Sequence, residues 1–186
     1  MSVLLLGGSP SPQSSCTRLL QYIGDHLALQ GHRPLRLETR DLPAGALLHA
    51  DTAQAEIARA VAQVTASSVI VVATPVYKAS YTGLLKAFLD LLPQDGLAGK
   101  AVLPIATGGS QSHMLALDYA LRPVLASMAA RFILPSIYAT SEQLSWHSEY
   151  GLALAPPIAA RVNEGIAQVV RELSAASPQP QLRAVA

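Results

Sequence analysis

Three short stretches of this chain hold the residue types that bind and orient small ligands. The first is Gly8-Ser9-Pro10-Ser11-Pro12-Gln13-Ser14-Ser15-Cys16-Thr17. It gathers hydroxyls into a turn that then becomes helical. Hydroxyls and unpaired amides at a helix N-terminus favour an anion, because the donors and the helix dipole both present positive charge. No lysine follows a glycine here, and the GxGxxG spacing is missing. The triphosphate P-loop and the usual dinucleotide fingerprint are therefore both excluded. The turn suits a phosphate monoester held mostly by neutral donors; a serine N-cap with no ligand is the alternative. The second stretch, Thr74-Pro75-Val76-Tyr77-Lys78-Ala79-Ser80-Tyr81-Thr82-Gly83, has a proline that stiffens it and a tyrosine ring against which a flat ligand would lie. A plain connecting loop is the other reading. The third, Thr107-Gly108-Gly109-Ser110-Gln111-Ser112-His113, has two glycines that let backbone approach a ligand closely, or simply make a tight turn.

These stretches need elements to hold them, and the hydrophobic pattern supplies them. Val3–Leu6 reads as a strand, followed by Leu19, Leu20, Ile23 and Leu27 at helical spacing, with Gly31 as the stop. Pro34–Glu38 is a weaker strand, and the segment 53–64 is helical. The run 68–73 is apolar without alternation, as expected of a strand buried on both faces. Leu84, Leu85, Phe88, Leu89 and Leu92 mark a helix. A strand over 101–106, a helix over 114–128, a strand over 132–138 and a helix over 156–173 follow. Pro135 within the last strand favours a sheet edge or a bulge. Strands alternating with helices imply an α/β three-layer sandwich, a five-stranded parallel sheet with helices on both faces. In such sheets ligands bind beyond the carboxyl ends of the strands, where all three stretches lie. A phosphate cup, an aromatic shelf and a glycine wall at one sheet edge suit a flat ring carrying a ribityl phosphate, namely FMN.

The bulk composition narrows the class. The chain has 186 residues, is 51% apolar and only 13% charged, and has a net charge of +1. Residues 1–175 read as a single domain, and 176–186 as a disordered tail. So few charges suggest either that part of the surface is covered by another subunit or simply an alanine-rich composition. The near-neutral charge and the lack of a basic stripe argue against nucleic acid. One cysteine, no basic leader and no long apolar segment point to a soluble cytoplasmic protein. His26, His32, His49, His113 and His147 have no metal-ligand spacing, so no metal is expected. Only His113 falls near the glycine wall. No GxSxG and no paired carboxylates suggest hydrolysis.

GGSPSP after the first strand, ATPVYKASYTGLLKAFLDLLP after the third and LPIATGGSQSHMLALDYALRPVL after the fourth resemble the NADPH-dependent FMN reductases of the flavodoxin-like superfamily. Within that group the resemblance is to the reductase partner of alkanesulfonate monooxygenase systems. It implies a flavodoxin-like fold, FMN and NADPH as cofactors, and delivery of reduced flavin to a partner monooxygenase for sulfur acquisition from organosulfonates. It implies phosphate contacts at Ser9, Ser11, Ser14, Ser15, Cys16 and Thr17. It places the flavin ring against Pro75, Val76, Tyr77 and Lys78 and against Thr107, Gly108 and Gly109. Cys16 departs from the hydroxyl pattern, and a thiol is a weak donor. The resemblance also implies a π-bulge around Tyr119 at a tetramer interface; Asp118-Tyr119 interrupts the apolar spacing of Leu115, Leu121 and Leu125.

On this reading a reduced nicotinamide passes hydride to the flavin. Amides of the Thr107–Gly109 turn stabilise the charge that develops, and no side chain is needed as a catalytic acid or base. The phosphate is held by neutral donors without a fixed arginine, which suits a flavin that leaves. A quinone or azo-dye reductase with tightly bound FMN, and a non-catalytic flavin-binding protein, are the alternatives. An electron-transfer flavodoxin would be strongly acidic, which this chain is not.

Overall fold

The computed structural model describes residues 2–175, so the expected tail at 176–186 lies outside the described residues. Strand β1 (Val3–Gly7) is buried along its whole length. Its side chains alternate between two cores. Leu4 and Leu6 face one side with Ile70, Val72 and Phe88, while Val3 and Leu5 face the other with Val69, Val71 and Leu103. Two-sided burial explains why β1 and β3 (Val69–Pro75) are unbroken apolar runs. Helix α1 (Ser15–Leu29) packs on the second face through Leu19, Leu20, Ile23 and Leu27. Helix α6 (Pro156–Ala175) joins it there through Ile158, Val162, Ile166 and Val169. Helices α2 (Ala44–Leu48), α3 (Ala55–Ala66), α4 (Gly83–Leu89) and α5 (Arg122–Ser127) cover the first face.

The strands run parallel in the order β2-β1-β3-β4, with β2 being Leu35–Glu38 and β4 being Ala101–Gly108. This is the flavodoxin-like order. Connections leave β1 and β3 toward opposite faces, and that divergence opens a crevice at their carboxyl ends. The expected fifth strand over 132–138 is divided. β5 (Phe132–Ile133) and β6 (Ile137–Thr140) both pair with β4, and Leu134-Pro135-Ser136 separates them. Pro135 has no N–H to give the ladder, so the break falls at the proline, at the sheet edge.

The expected helix over 114–128 is also interrupted. A 3₁₀ turn spans Gln111–His113, a π-helical turn spans Leu117–Leu121, and α5 begins only at Arg122. Pro123 cannot donate to the carbonyl four residues back, that of Tyr119, and its ring crowds that position. The Arg122 amide instead bonds the Leu117 carbonyl, the five-residue spacing of a π turn. The hairpin of β7 (Leu144–His147) and β8 (Gly151–Leu154) is additional to the elements expected from sequence, and so is α2. Among the described residues, no helix is long and apolar enough to cross a membrane.

Candidate active site

The three stretches meet at the crevice and are tied to one another. The Gly8 amide donates to the Ala73 carbonyl at 2.7 Å, joining the first loop to the end of β3. Thr82, the N-cap of α4, donates its hydroxyl to the Gly8 carbonyl at 2.6 Å. The Val76 amide donates to the Thr107 carbonyl at 2.8 Å, joining the second stretch to the third. Each loop is thus positioned by its neighbours as well as by its own strand.

In the first loop the structure sorts the hydroxyls into two groups. Ser9 and Thr17 are buried, whereas Ser11, Ser14 and Ser15 stand half-buried at the surface of the turn. Ser14 caps α1 by accepting from the Thr17 amide at 3.1 Å. Its Oγ also lies 2.8 Å from Ser9 Oγ and 3.0 Å from Thr17 Oγ1. Thr17 donates its hydroxyl to the Ser11 carbonyl at 2.9 Å. The Ser9, Ser14 and Thr17 hydroxyls therefore brace the turn and leave the Ser15 and Cys16 amides at the start of α1 as its outward donors. Cys16 is different: its side chain belongs to the core on the α1 face and is 1% exposed. Burial pushes its thiol well above the ordinary range, with the Glu38 carboxylate adding to the rise and Thr107 and Arg40 opposing it. The sequence leaves this residue in the phosphate loop; the structure turns its thiol inward, toward Thr107.

The second stretch forms a tight turn in which Tyr77 and Ser80 exchange backbone hydrogen bonds of 2.9 and 3.1 Å. Lys78 and Ala79 both have left-handed backbone, with φ of 50° and 62°. For residues with a Cβ this conformation costs about 1–2 kcal/mol each, so the surroundings must hold it. One holder is Tyr119 of the π turn, whose hydroxyl donates to the Ala79 carbonyl at 2.6 Å. The Tyr77 ring on this turn is half exposed, at 51%. Pro75 is buried beside Thr107, its partner across the strand pair.

The glycines of the third stretch have separate reasons. A Cβ built on Gly108 would overlap the Tyr138 hydroxyl, so the chain's own packing requires glycine there. Tyr138, from β6, donates that hydroxyl to the Ser110 carbonyl at 2.6 Å and so fixes the turn. Burial raises its phenol pKa. Gly109 has open space where a Cβ would stand and is exposed, as a surface against which a ring packs must be. His113 is exposed in the 3₁₀ turn just beyond.

Sequence reading places no fixed arginine beside this loop, whereas the structure brings one against it. Arg40, in the 3₁₀ turn Thr39–Asp41 after β2, donates through Nη1 to the Ser9 carbonyl at 3.2 Å and to Thr17 Oγ1 at 3.4 Å. The same nitrogen pairs with Glu38 Oε2 at 2.8 Å. The signal was present in LRLETR, since Arg36, Glu38 and Arg40 recur at every second residue and so share one face of an extended segment. Tyr138 and Thr82 were missed because a tyrosine in a strand and a threonine before a helix look ordinary. A cleft of about 510 Å³ lined by Pro12, Gln13, Arg18, Gln21, Arg36 and Trp146 runs along the outer side of the loop. There Arg18 lies over the Trp146 ring at 4.3 Å. No group of three metal-ligating side chains occurs among the described residues.

The donor set fits FMN. Amides at the α1 N-terminus and small hydroxyls suit a phosphate, the nearby buried carboxylate of Glu38 is charge-balanced by two arginines, and the exposed Tyr77 ring and the open Gly109 offer the surfaces a flat ring needs. The comparisons with known proteins agree. The description "NADPH-dependent FMN reductase" matches residues 1–144. An FMN reductase (NADPH) of Pseudomonas putida is 44% identical over 146 residues, covering 78% of this chain and 74% of its own. An NADH-dependent FMN reductase, SfnF, of Pseudomonas fluorescens is 36% identical over 143 residues, 74% of this chain and 75% of its own. The crystal structure of an NADH:FMN oxidoreductase, EMOB, superposes with a TM-score of 0.84 at 42% identity, over 96% of this chain and 91% of that one. Motifs, crevice and likeness together make this chain a member of the NADPH-dependent FMN reductase family, an oxidoreductase that uses a reduced nicotinamide to reduce FMN.

Proposed function

We propose that this chain binds FMN as an exchangeable substrate and passes it, reduced, to a partner monooxygenase that attacks organosulfonates in the cytoplasm. The observation that carries the binding mode is the linkage of the three loops at the β1/β3 crevice through Gly8, Thr82 and Val76. When bound, FMN supplies the hydride-accepting ring. The chain's part is to hold and orient. The Ser15 and Cys16 amides at the start of α1, with the Ser11 and Ser15 hydroxyls, take the phosphate, while Ser9, Ser14 and Thr17 brace them. Pro75, Val76, Tyr77 and Lys78 form one wall of the ring site and Thr107, Gly108 and Gly109 the other, with His113 at the rim. The Cys16 thiol points away, so at that position only main chain is available. This reading assigns no side chain in the crevice as acid or base; the protein contributes geometry and main-chain dipoles.

The partner reading rests on the resemblance of the DYALRPVL segment and the loops to the alkanesulfonate-system reductases. Self-association is part of the same proposal. Met114, Leu115 and Tyr119 are exposed together around the π turn, at 46%, 56% and 59%, on a chain with few charges, and a second copy of this chain would cover them. A tetramer is the assembly expected.

Purified protein tests the function directly. A colourless preparation that oxidises NADPH only when FMN is added supports an exchanging flavin. A yellow preparation that turns over only with a quinone or azo dye overturns it in favour of a tightly held cofactor. No NADPH oxidation with either leaves a binding protein. Sedimentation of the wild type and of Leu115→Asp tests the assembly: a tetramer that falls to smaller species is expected, and a wild-type monomer refutes it.

A further inference from the structure

Beneath the phosphate loop lies a charged cluster that the reductase activity does not by itself require. Glu38 has a side chain only 6% exposed and receives two guanidiniums: Arg36 at 2.6 Å on Oε1 and Arg40 at 2.8 Å on Oε2. It is packed so tightly on β1 that a Cβ on Gly7 would overlap its carboxylate. Asp41 also approaches Arg40, at 3.8 Å, but its carboxylate is 73% exposed and its charge is largely screened by water. Arg40 itself is 15% exposed, so its position is set by these contacts rather than by solvent.

We infer that Arg40, aimed by Glu38, is the positioning residue and the fixed positive charge of the flavin phosphate site, acting through Ser9 and Thr17. The inference rests on reading this loop as the phosphate site. The hydroxyl contacts are all met in one direction when Ser9 gives its proton to Ser14 at 2.8 Å rather than to the Ser11 carbonyl at 3.2 Å. Thr17 donates its hydroxyl proton to the Ser11 carbonyl, so its Oγ1 receives from Arg40 on one side and from the Ser14 hydroxyl on the other. Ser14 in turn accepts from the Thr17 amide and the Ser9 hydroxyl, and Ser9 accepts from the Ser11 amide. One guanidinium therefore orders the hydroxyl chain from its root and also pins the loop at the Ser9 carbonyl. It places a cation just behind the amides, where low exposure keeps its field from being screened. Glu38 keeps the fork from turning outward, and Arg36 balances Glu38 so that Arg40's charge is not cancelled.

Riboflavin, which lacks the phosphate, separates this role from mere packing. The dissociation constants of FMN and riboflavin are read from flavin fluorescence for wild type, Arg40→Met and Arg40→Lys. Wild type is expected to prefer FMN. In Arg40→Met the FMN constant should rise at least about tenfold while the riboflavin constant changes less than about twofold, and Arg40→Lys should recover most of the preference. Equal losses for both flavins would mark a structural role and overturn the inference, as would an unchanged FMN preference in Arg40→Met. A wild type that does not distinguish the two flavins would instead refute the phosphate reading of the loop itself. Should Arg40→Met fail to fold, Arg40→Gln, which keeps a donor but no charge, is read by the same criteria.

Discussion

The Gly108–Tyr138 contact gives the sharpest test of how the ring site is built. In Gly108→Ala the new methyl occupies the place of the Tyr138 hydroxyl, with ring Cζ only 3.1 Å away. The tyrosine must withdraw, and its 2.6 Å hydrogen bond to the Ser110 carbonyl is lost. A lost hydrogen bond costs about 1 kcal/mol and overpacking a buried site about 1–3 kcal/mol, so a destabilisation near 3 kcal/mol is expected. Tyr138→Phe alone should cost about 1 kcal/mol, because Ser110 is exposed and its carbonyl regains water. In the Tyr138→Phe background the hydroxyl is gone and the methyl meets only ring carbon, which needs to yield by a few tenths of an ångström. The double variant should therefore be more stable than the sum of the single effects by about 1–2 kcal/mol. Urea unfolding of the four proteins, followed by far-ultraviolet circular dichroism, measures this. Additivity to within about 0.5 kcal/mol would refute the claim that Gly108 is glycine because of Tyr138.

Three further outcomes follow from single contacts. Tyr119→Phe removes the hydroxyl that holds the Ala79 carbonyl, so the left-handed turn at Lys78 and Ala79 should loosen and the FMN Michaelis constant rise several-fold, with under about 1 kcal/mol lost in stability; unchanged flavin kinetics would separate the π turn from the ring site. Cys16, buried with its pKa raised, should resist thiol-labelling reagents in the folded protein at mildly alkaline pH and react at once in urea; equal rates in both states would contradict its placement. Lys100 is largely buried and donates to the Thr65 and Ser67 carbonyls at the end of α3, and burial lowers its pKa below 10.5. The unfolded chain then binds more protons than the folded one in the window just below 10.5, so stability should rise with pH across that window and the rise should vanish in Lys100→Met. An identical alkaline profile in both proteins would show that Lys100 does not titrate as its burial requires.

The sequence alone determined the order of the main strands and helices, though not α2, the β7–β8 hairpin or the division of the last strand, because two-sided burial writes β1, β3 and β4 as continuous apolar runs and α1 and α6 as periodic ones. It also located the three loops, since small hydroxyls, a proline-tyrosine turn and paired glycines are local features with local reasons. The tertiary structure decided which of those residues face a ligand. Ser9 and Thr17 turn out to brace, Cys16 to pack into a core shared with other layers, and Gly108 to make room for Tyr138 from the next strand. Arg40 joined the phosphate loop across 31 residues of sequence, through the pairing of β1 with β2. Periodicity records which face of an element is buried, but not what arrives against it; that depends on the register and packing of strands far apart in the chain.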